Sequence, residues 1–345
     1  WLAYLSPHIL SDLGWIEIVA LPGHHHGRGS GSLIGASREL GEVAAVLLII
    51  LSLLALIRFV PYGWFRKLHK AFPVAFLVGA FHSVVLMPHG SLATPFRMLV
   101  IVIFLAGGVI AIRSLAGLIG RSRQHKGTVL SIAQTESGVL DLQVMPGSDW
   151  PGHQAGQFAL LTLDQREGAH PFTIASHWEQ GAPLRFGIKP LGDYTRKLNG
   201  SIKSGDAVTV EGPYGCFDFG DASNDQVWVA GGVGVTAFLA RLEMLAIIGG
   251  AKGEVHFFCS VSNEVEASFP YGLDDLCTKA NVKLTRRIVA CDGRISSSDI
   301  AQVVRQSCDV FFCGPSVWAT DLLSVLQLRH SLPLERFHRE LFEFR

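Results

Sequence analysis

The sequence predicts a multidomain chain: a transmembrane α-helical bundle portion, then an antiparallel Greek-key β-barrel, then a parallel α/β sheet. Three observations predict it. Long apolar runs almost free of charge are confined to the first third. The middle of the chain alternates short apolar segments with turn residues, and the last third alternates buried strands with helical stretches. The expected domains are 1–126, 127–222 and 223–345.

The helical portion rests on run length. Residues 41–60 (GEVAAVLLIILSLLALIRFV) carry charge only at Glu42 and Arg58. About 20 apolar residues at roughly 1.5 Å each span the hydrocarbon core. Residues 67–88 and 97–119 are two further candidate spans. Residues 1–21 read as the end of an upstream span and an outer loop. Arg58, Arg66, Lys67 and Lys70 follow the first span, and Arg121, Arg123 and Lys126 follow the third. The positive-inside rule puts both clusters in the cytoplasm. Segments 22–38 and 87–95 then face outward, and everything after residue 126 is cytoplasmic. Trp64 resembles an interface anchor.

Composition supports the division. Lys+Arg and Asp+Glu are equal at 29 each, so no net field points to nucleic acid. Charged residues are 17 % of the chain and hydrophobic ones 49 %, against a usual charged share of about a quarter. The chain begins at Trp1 without an initiator Met or signal-peptide pattern, and reads as cut upstream. None of the six cysteines forms a CxxC pair, which argues against an iron–sulfur cluster or structural zinc and for reduced thiols. His24, His25 and His26 lie in a Gly/Ser-rich loop and read as an incidental cluster rather than a metal site. His89 and His338 read as surface residues.

From residue 127, the segments GTVLSIA, GVLDLQVM, QFALLTL, RFGIKPL and AVTVEG alternate in the manner of barrel strands. From 226, QVWVAGG, EVHFFCS, KLTRRIVA and DVFFCG read as buried strands. Helical stretches such as TAFLARLEMLAII and ATDLLSVLQLRH fall between them, which implies a parallel sheet.

Several short motifs carry chemistry. In VWVAGGVGVTAFLARLEML, a strand runs into Gly231, Gly232 and Gly234 and then into a helix. Glycines admit a pyrophosphate to the backbone, and a helix N-terminus supplies amide donors. Thr236 is placed to add a hydroxyl there. The spacing departs from GxGxxG. In HPFTIAS (170–176), an aromatic can face a flavin ring and a hydroxyl can reach it. In FGIKPLGDYTRKL (186–198), Thr195 can bind the flavin pyrophosphate, with Lys189 or Arg196 supplying charge. FFCGP (311–315) ends a strand at the sheet edge where ligands of such folds bind.

GQF (156–158), HPFTIAS, EGPYG, GGVGVTAF, FCGP and an aromatic C-terminus occur in one order across 127–345. In that order the chain resembles the ferredoxin–NADP reductase family. The resemblance implies an FAD-binding barrel followed by an NAD(P)H-binding domain. His170, Pro171, Phe172 and Thr173 then match the flavin-contacting segment. Gly231, Gly232, Gly234 and Thr236 match the dinucleotide pyrophosphate loop, and Cys313 and Gly314 match the nicotinamide-side strand end. Phe344, or Phe342, matches the aromatic that covers the flavin.

Segment 61–86 resembles the transmembrane domain of ferric reductases and NADPH oxidases. That likeness implies that His69 and His82 each give one axial ligand to a haem b. Thirteen residues rise about 20 Å, so the two histidines lie at different depths. They also lie about 140° apart around an ideal helix, a phase that Pro73 can shift by kinking the helix. The other reading has His69 snorkelling at the surface and His82 making a lone polar contact. Residues 1–60 hold no second histidine pair at the right spacing, so the partner helix is expected upstream of Trp1.

The expected function is a membrane-bound flavin oxidoreductase, in the cell inner membrane with both nucleotide domains cytoplasmic. It would take electrons from NADPH or NADH through FAD, and via haem, to ferric chelate or dioxygen. A haem-free anchored reductase serving a separate partner is the rival, and a non-enzymatic scaffold the third reading. The segment 260–269 has no Arg or Lys for a 2′-phosphate; Arg286, Arg287 and Arg294 are the nearest candidates.

Overall fold

The computed structural model describes residues 33–57, 68–87, 94–165, 167–220, 225–267 and 272–340. The chain divides into two compact units, one ending at Ile119 and one beginning at Gly120.

The first unit holds three helices: α1 (Leu33–Leu56), α2 (Phe72–Val85) and α3 (Pro95–Leu115). α1 packs on α2, and α2 on α3. Ser37, Ala44 and Leu51 of α1 are buried; their spacing of seven places them on one face. Val43, Val46, Ile49 and Leu53 point outward and are more than half exposed. α1 and α3 are long and apolar enough to cross a membrane. The expected boundaries shift, however. α1 begins at Leu33, inside the segment expected as an outer loop. The expected span 67–88 yields only the 14-residue α2, about 21 Å long and short of the hydrocarbon thickness. The reason is Pro73, which sits in the first turn of α2, where a missing amide costs nothing. It starts a new helix after a turn at 70–71, and His69 lies in the helical residues before that turn.

The second unit opens with a six-stranded antiparallel sheet. Its strands are β1 (Gln124–Gln134), β2 (Leu140–Pro146), β3 (Phe158–Thr162), β4 (His170–Thr173), β5 (Leu184–Ile188) and β6 (Ala207–Tyr214), in the order β4-β3-β6-β1-β2-β5. The edge strands meet. Ala175 N–H donates to Arg185 O at 2.8 Å, and Arg185 N–H to Ser176 Oγ at 3.1 Å, which curls the sheet into a barrel. Leu142, Val144, Ala159, Leu161 and Phe186 fill it.

The parallel sheet follows: β7 (Gln226–Gly231), β8 (Val255–Val261), β9 (Lys283–Ile288), β10 (Asp309–Cys313) and β11 (Phe337–Glu340), in the order β11-β10-β7-β8-β9. Both faces are covered, as parallel sheets require. Trp228 and Phe311 face one core with Phe238. Their neighbours Val229 and Phe312 face the other with Leu322 and Leu326. β11 was not anticipated from the sequence. His338 lies on it, half-buried and stacked on Phe311 with centroids 4.5 Å apart, so it is not a free surface residue. All six cysteines are free thiols.

Candidate functional site

The C-terminal edge of the parallel sheet brings three of the expected motifs together. β7 ends in Gly231, and a single turn (Gly232–Val235) leads into α5 (Thr236–Ile247). No side chain caps this turn, and Thr236 N–H at the start of α5 is bonded back to Val233 O and Gly234 O, so an anion there would meet the amides of the turn itself. Gly232 has φ +56°, a conformation that costs glycine little. Gly234 serves packing: a Cβ there would stand 2.2 Å from Cys313 O. Gly231 and Gly314 likewise lie backbone to backbone, with a Cβ on Gly314 only 3.2 Å from Gly231 N. These glycines therefore let the ends of β7 and β10 touch, whereas only Gly232 looks outward onto charge. Thr236 differs from expectation, because its hydroxyl donates to Val233 O at 2.8 Å within the turn.

Cys313 is fully buried under Gly234. Burial pushes its thiol well above the usual range, helped by the nearby Glu340 carboxylate. Its side chain is placed for packing rather than for contact with an open nicotinamide pocket. Glu340 is paired in register with Cys313 across β10 and β11. Burial pushes its carboxyl up to about 7, and its Oε2 has no hydrogen-bond partner. No residue pattern points to it, because β11 is short and lacks turn punctuation.

Lys189 follows β5 on the barrel, and its ammonium pairs with Glu266 of the parallel-sheet domain. A Cβ on Gly232 would lie 3.4 Å from Glu266 Oε1 and 3.8 Å from Lys189 Nζ. The pair therefore stands directly over the glycine turn. Glu266 also accepts from Ser262 N–H at 2.7 Å. Burial pushes its carboxyl up, but the Lys189 and Ser262 hydrogen bonds outweigh this and hold it below the usual range. Lys189 thus faces the turn of the other sheet rather than serving the 193–198 segment. Of the arginines considered for a 2′-phosphate, Arg286 is paired with Asp274 at 2.8 Å, and Arg287 donates to Asp292 O at 3.2 Å.

On the barrel, His170, Pro171, Phe172 and Thr173 form β4. Thr173 is buried, and its hydroxyl has no hydrogen-bond partner. His170 stacks on Tyr194, with centroids 3.8 Å apart and planes within 13°. Burial, with Asp164 and Glu167 nearby, pushes the Tyr194 phenol up to about 12, and its OH is unpartnered. Tyr194 was not singled out in the sequence. Thr195 belongs to the short helix α4 (Asp193–Leu198), where its Oγ1 accepts from Gly192 N–H at 3.0 Å; its hydroxyl is already engaged. Phe342, Phe344 and Arg345 lie outside the described residues, as do Trp64, His24 to His26 and His89.

In the helical unit, His82 Nδ1 lies 2.7 Å from Ser37 O, so this nitrogen carries the proton. A Cβ on Gly41 would stand 2.0 Å from that ring, so α1 admits the imidazole only at a glycine. This bond leaves Nε2 unengaged, the nitrogen that a neutral imidazole of this tautomer offers to a metal. His69 is 4.9 Å from the Phe72 ring. With Lys70, Phe76, Ile110 and Ser114 it lines a largely apolar cavity of about 700 Å³.

Solved structures share the second unit's architecture. The FAD/NAD-binding domain of nitric oxide dioxygenase from Vibrio cholerae aligns with TM-score 0.54 and 21 % identity, over 63 % of this chain and 98 % of that one. Ferredoxin–NADP⁺ reductase from Plasmodium falciparum aligns with TM-score 0.54 and 13 % identity, over 64 % and 97 %. The second unit has the ferredoxin–NADP reductase fold. Among curated proteins, the phenol 2-monooxygenase reductase component of Pseudomonas sp. strain CF600 is 25 % identical over 42 % of this chain and 45 % of its own. The anthranilate 1,2-dioxygenase electron transfer component of Acinetobacter baylyi is 25 % identical over 46 % and 50 %. The flavohemoprotein of Deinococcus radiodurans is 24 % identical over 58 % and 54 %. The chain thus spans about half the length of the curated relatives it matches. No family model matches it.

Proposed function

We propose that the chain is a membrane-anchored flavin oxidoreductase that draws electrons from NADH or NADPH. The observation that carries this reading is the reductase fold with an uncapped glycine turn under a lysine and a buried, unpartnered Thr173 hydroxyl on the facing barrel. The residues fit the two groups. A pyrophosphate is an anion, and the amides of the Gly232–Val235 turn and Lys189 would supply donors for it. A flavin ring offers acceptors to a buried hydroxyl that otherwise lacks one, and Phe172 beside it is half-buried and apolar.

Bound FAD would convert a hydride pair into single electrons. The chain's own part is to orient and to exclude water. Thr173 would fix the ring edge from the barrel side. Gly231, Gly234 and Gly314 keep the two strand ends in contact beneath the dinucleotide, and Cys313 fills the space between them. Glu340, close to neutrality, is positioned to hold or release a proton at the sheet edge.

The first unit supports membrane anchoring. Its two long helices expose Val46, Ile49, Leu105 and Val109, which a soluble core would cover. His69 and His82 would each offer one imidazole to a haem b, the first on a cavity and the second held through Nδ1 on Ser37 O. No opposite ligand is found among the described residues. The acceptor is then ferric chelate or dioxygen. A second reading is favoured by the relatives, two of which are named as reductase or electron transfer components of oxygenases. In it the spans only anchor, and a separate protein takes the electrons.

Absorbance spectra of the purified protein in detergent, before and after NADH or NADPH under argon, test the reading. Flavin bleaching followed by reduced haem bands supports the haem relay. Bleaching without haem bands leaves the anchored reductase with a partner.

A further inference from the structure

The Lys189–Glu266 pair is an odd feature for an anion site. The lysine nearest the phosphate turn is already neutralised by a buried carboxylate. Only 9 % of the Glu266 side chain is exposed, against 30 % for Lys189, so the anion is fixed and the cation is the more accessible partner. Glu266 is anchored from its own domain by Ser262 N–H, and Glu266 N–H donates to Asn263 Oδ1 at 2.8 Å. Lys189 arrives from the barrel on a flexible stem. When one ammonium lies between two anions, a fixed carboxylate and an entering phosphate, each weakens its hold on the other. Glu266 is also close enough to Gly232 for a phosphate on that turn to meet it directly.

We propose that Glu266 competes with the dinucleotide pyrophosphate for Lys189, and so sets the affinity of the site from within. In the resting protein it parks the ammonium over Gly232. On binding, Lys189 turns to the phosphate, while Glu266 keeps its Ser262 bond and opposes tight retention of the product. This rests on the reading of the Gly231–Thr236 turn as the dinucleotide site. The advantage is turnover, because the oxidised dinucleotide carries the same pyrophosphate as the reduced one and must leave each cycle. Glu266 is here a positioning residue, acting through Lys189.

The test uses the full chain loaded with FAD and isothermal titration with ADP-ribose, which carries the pyrophosphate but no nicotinamide. Adenosine, which has no phosphate, is the control ligand. Glu266→Gln is expected to tighten ADP-ribose by about tenfold and Lys189→Met to loosen it by about as much, with adenosine binding unchanged in both. Glu266→Ala, which removes the carboxylate without leaving an amide, should move affinity in the same direction as Glu266→Gln. If Lys189→Met loosens binding but both Glu266 variants leave it equal or weaker, the competition is wrong and Glu266 merely orients the lysine. If the unaltered chain binds FAD but not ADP-ribose, the dinucleotide reading itself fails and the competition with it.

Discussion

At the scale of single residues, the site is governed by burial. Glu340 is held in a folded environment that raises its carboxyl from 4.5 to about 7. The folded chain therefore binds that proton more tightly than the unfolded chain. Its contribution to stability is full below the unfolded value, is lost as pH rises through about 7, and is level above. The interval corresponds to on the order of 3 kcal/mol at most. Glu340→Gln should make stability less sensitive to pH across that window, which thermal melts at about pH 5 and about pH 8 will show. A variant that keeps the full slope contradicts the assignment. Thr173→Val removes a buried hydroxyl that satisfies nothing within the protein. The apoprotein should be no less stable, while FAD affinity falls by about tenfold, the scale of one hydrogen bond; equilibrium dialysis measures it. The β4 strand and the glycine turn after β7 form where the sequence motifs placed them. Tyr194 and Glu266 were not legible from residue type, because each acquires its role from a partner distant in sequence, as with the 77 positions between Lys189 and Glu266.

At the scale of elements, alternation sufficed for most strands. The segments read as β1, β2, β3, β5 and β6 have one face in the barrel core, so period two survives in the sequence. β7 and β10 are buried on both faces and were recognised as continuous apolar runs ending in glycine. β11 has only four residues, FHRE, and its buried Phe337 alone sets no period. The helix boundaries slipped where composition and geometry part. Hydropathy runs through Pro73, but the backbone cannot, so α2 starts there. The contact between the ends of β7 and β10 carries a prediction at this scale. Gly234→Ala places a methyl 2.2 Å from Cys313 O, which the strand ends can accept only by separating. A loss of about 1–3 kcal/mol is expected, in the range of overpacked cores. Denaturant melts of the FAD-loaded protein measure it, and a variant as stable as the parent would show that the turn yields freely.

At the scale of the molecule, the division into an apolar helical unit and a reductase-fold unit follows charge distribution along the chain. Residues 120–345, expressed without the helices, should remain soluble and retain FAD, since the unit from Gly120 onward has its own cores. The longer chain should partition with membranes, because α1 and α3 expose apolar faces. Sedimentation of cell fractions distinguishes the two, and a longer chain found in the soluble fraction would contradict the anchoring. The reductase fold of the second unit was legible at this scale from the order of motifs. The acceptor of the proposed electron transfer was not, since no residue pattern in 120–340 specifies one.

The most direct measurement is the anaerobic titration of the FAD-loaded chain with NADH and, separately, NADPH, followed by flavin absorbance. Stoichiometric bleaching by at least one of the two is the predicted result. A chain that binds FAD yet is bleached by neither, while dithionite reduces it normally, would falsify the assignment of the glycine turn and Lys189 to a nicotinamide dinucleotide.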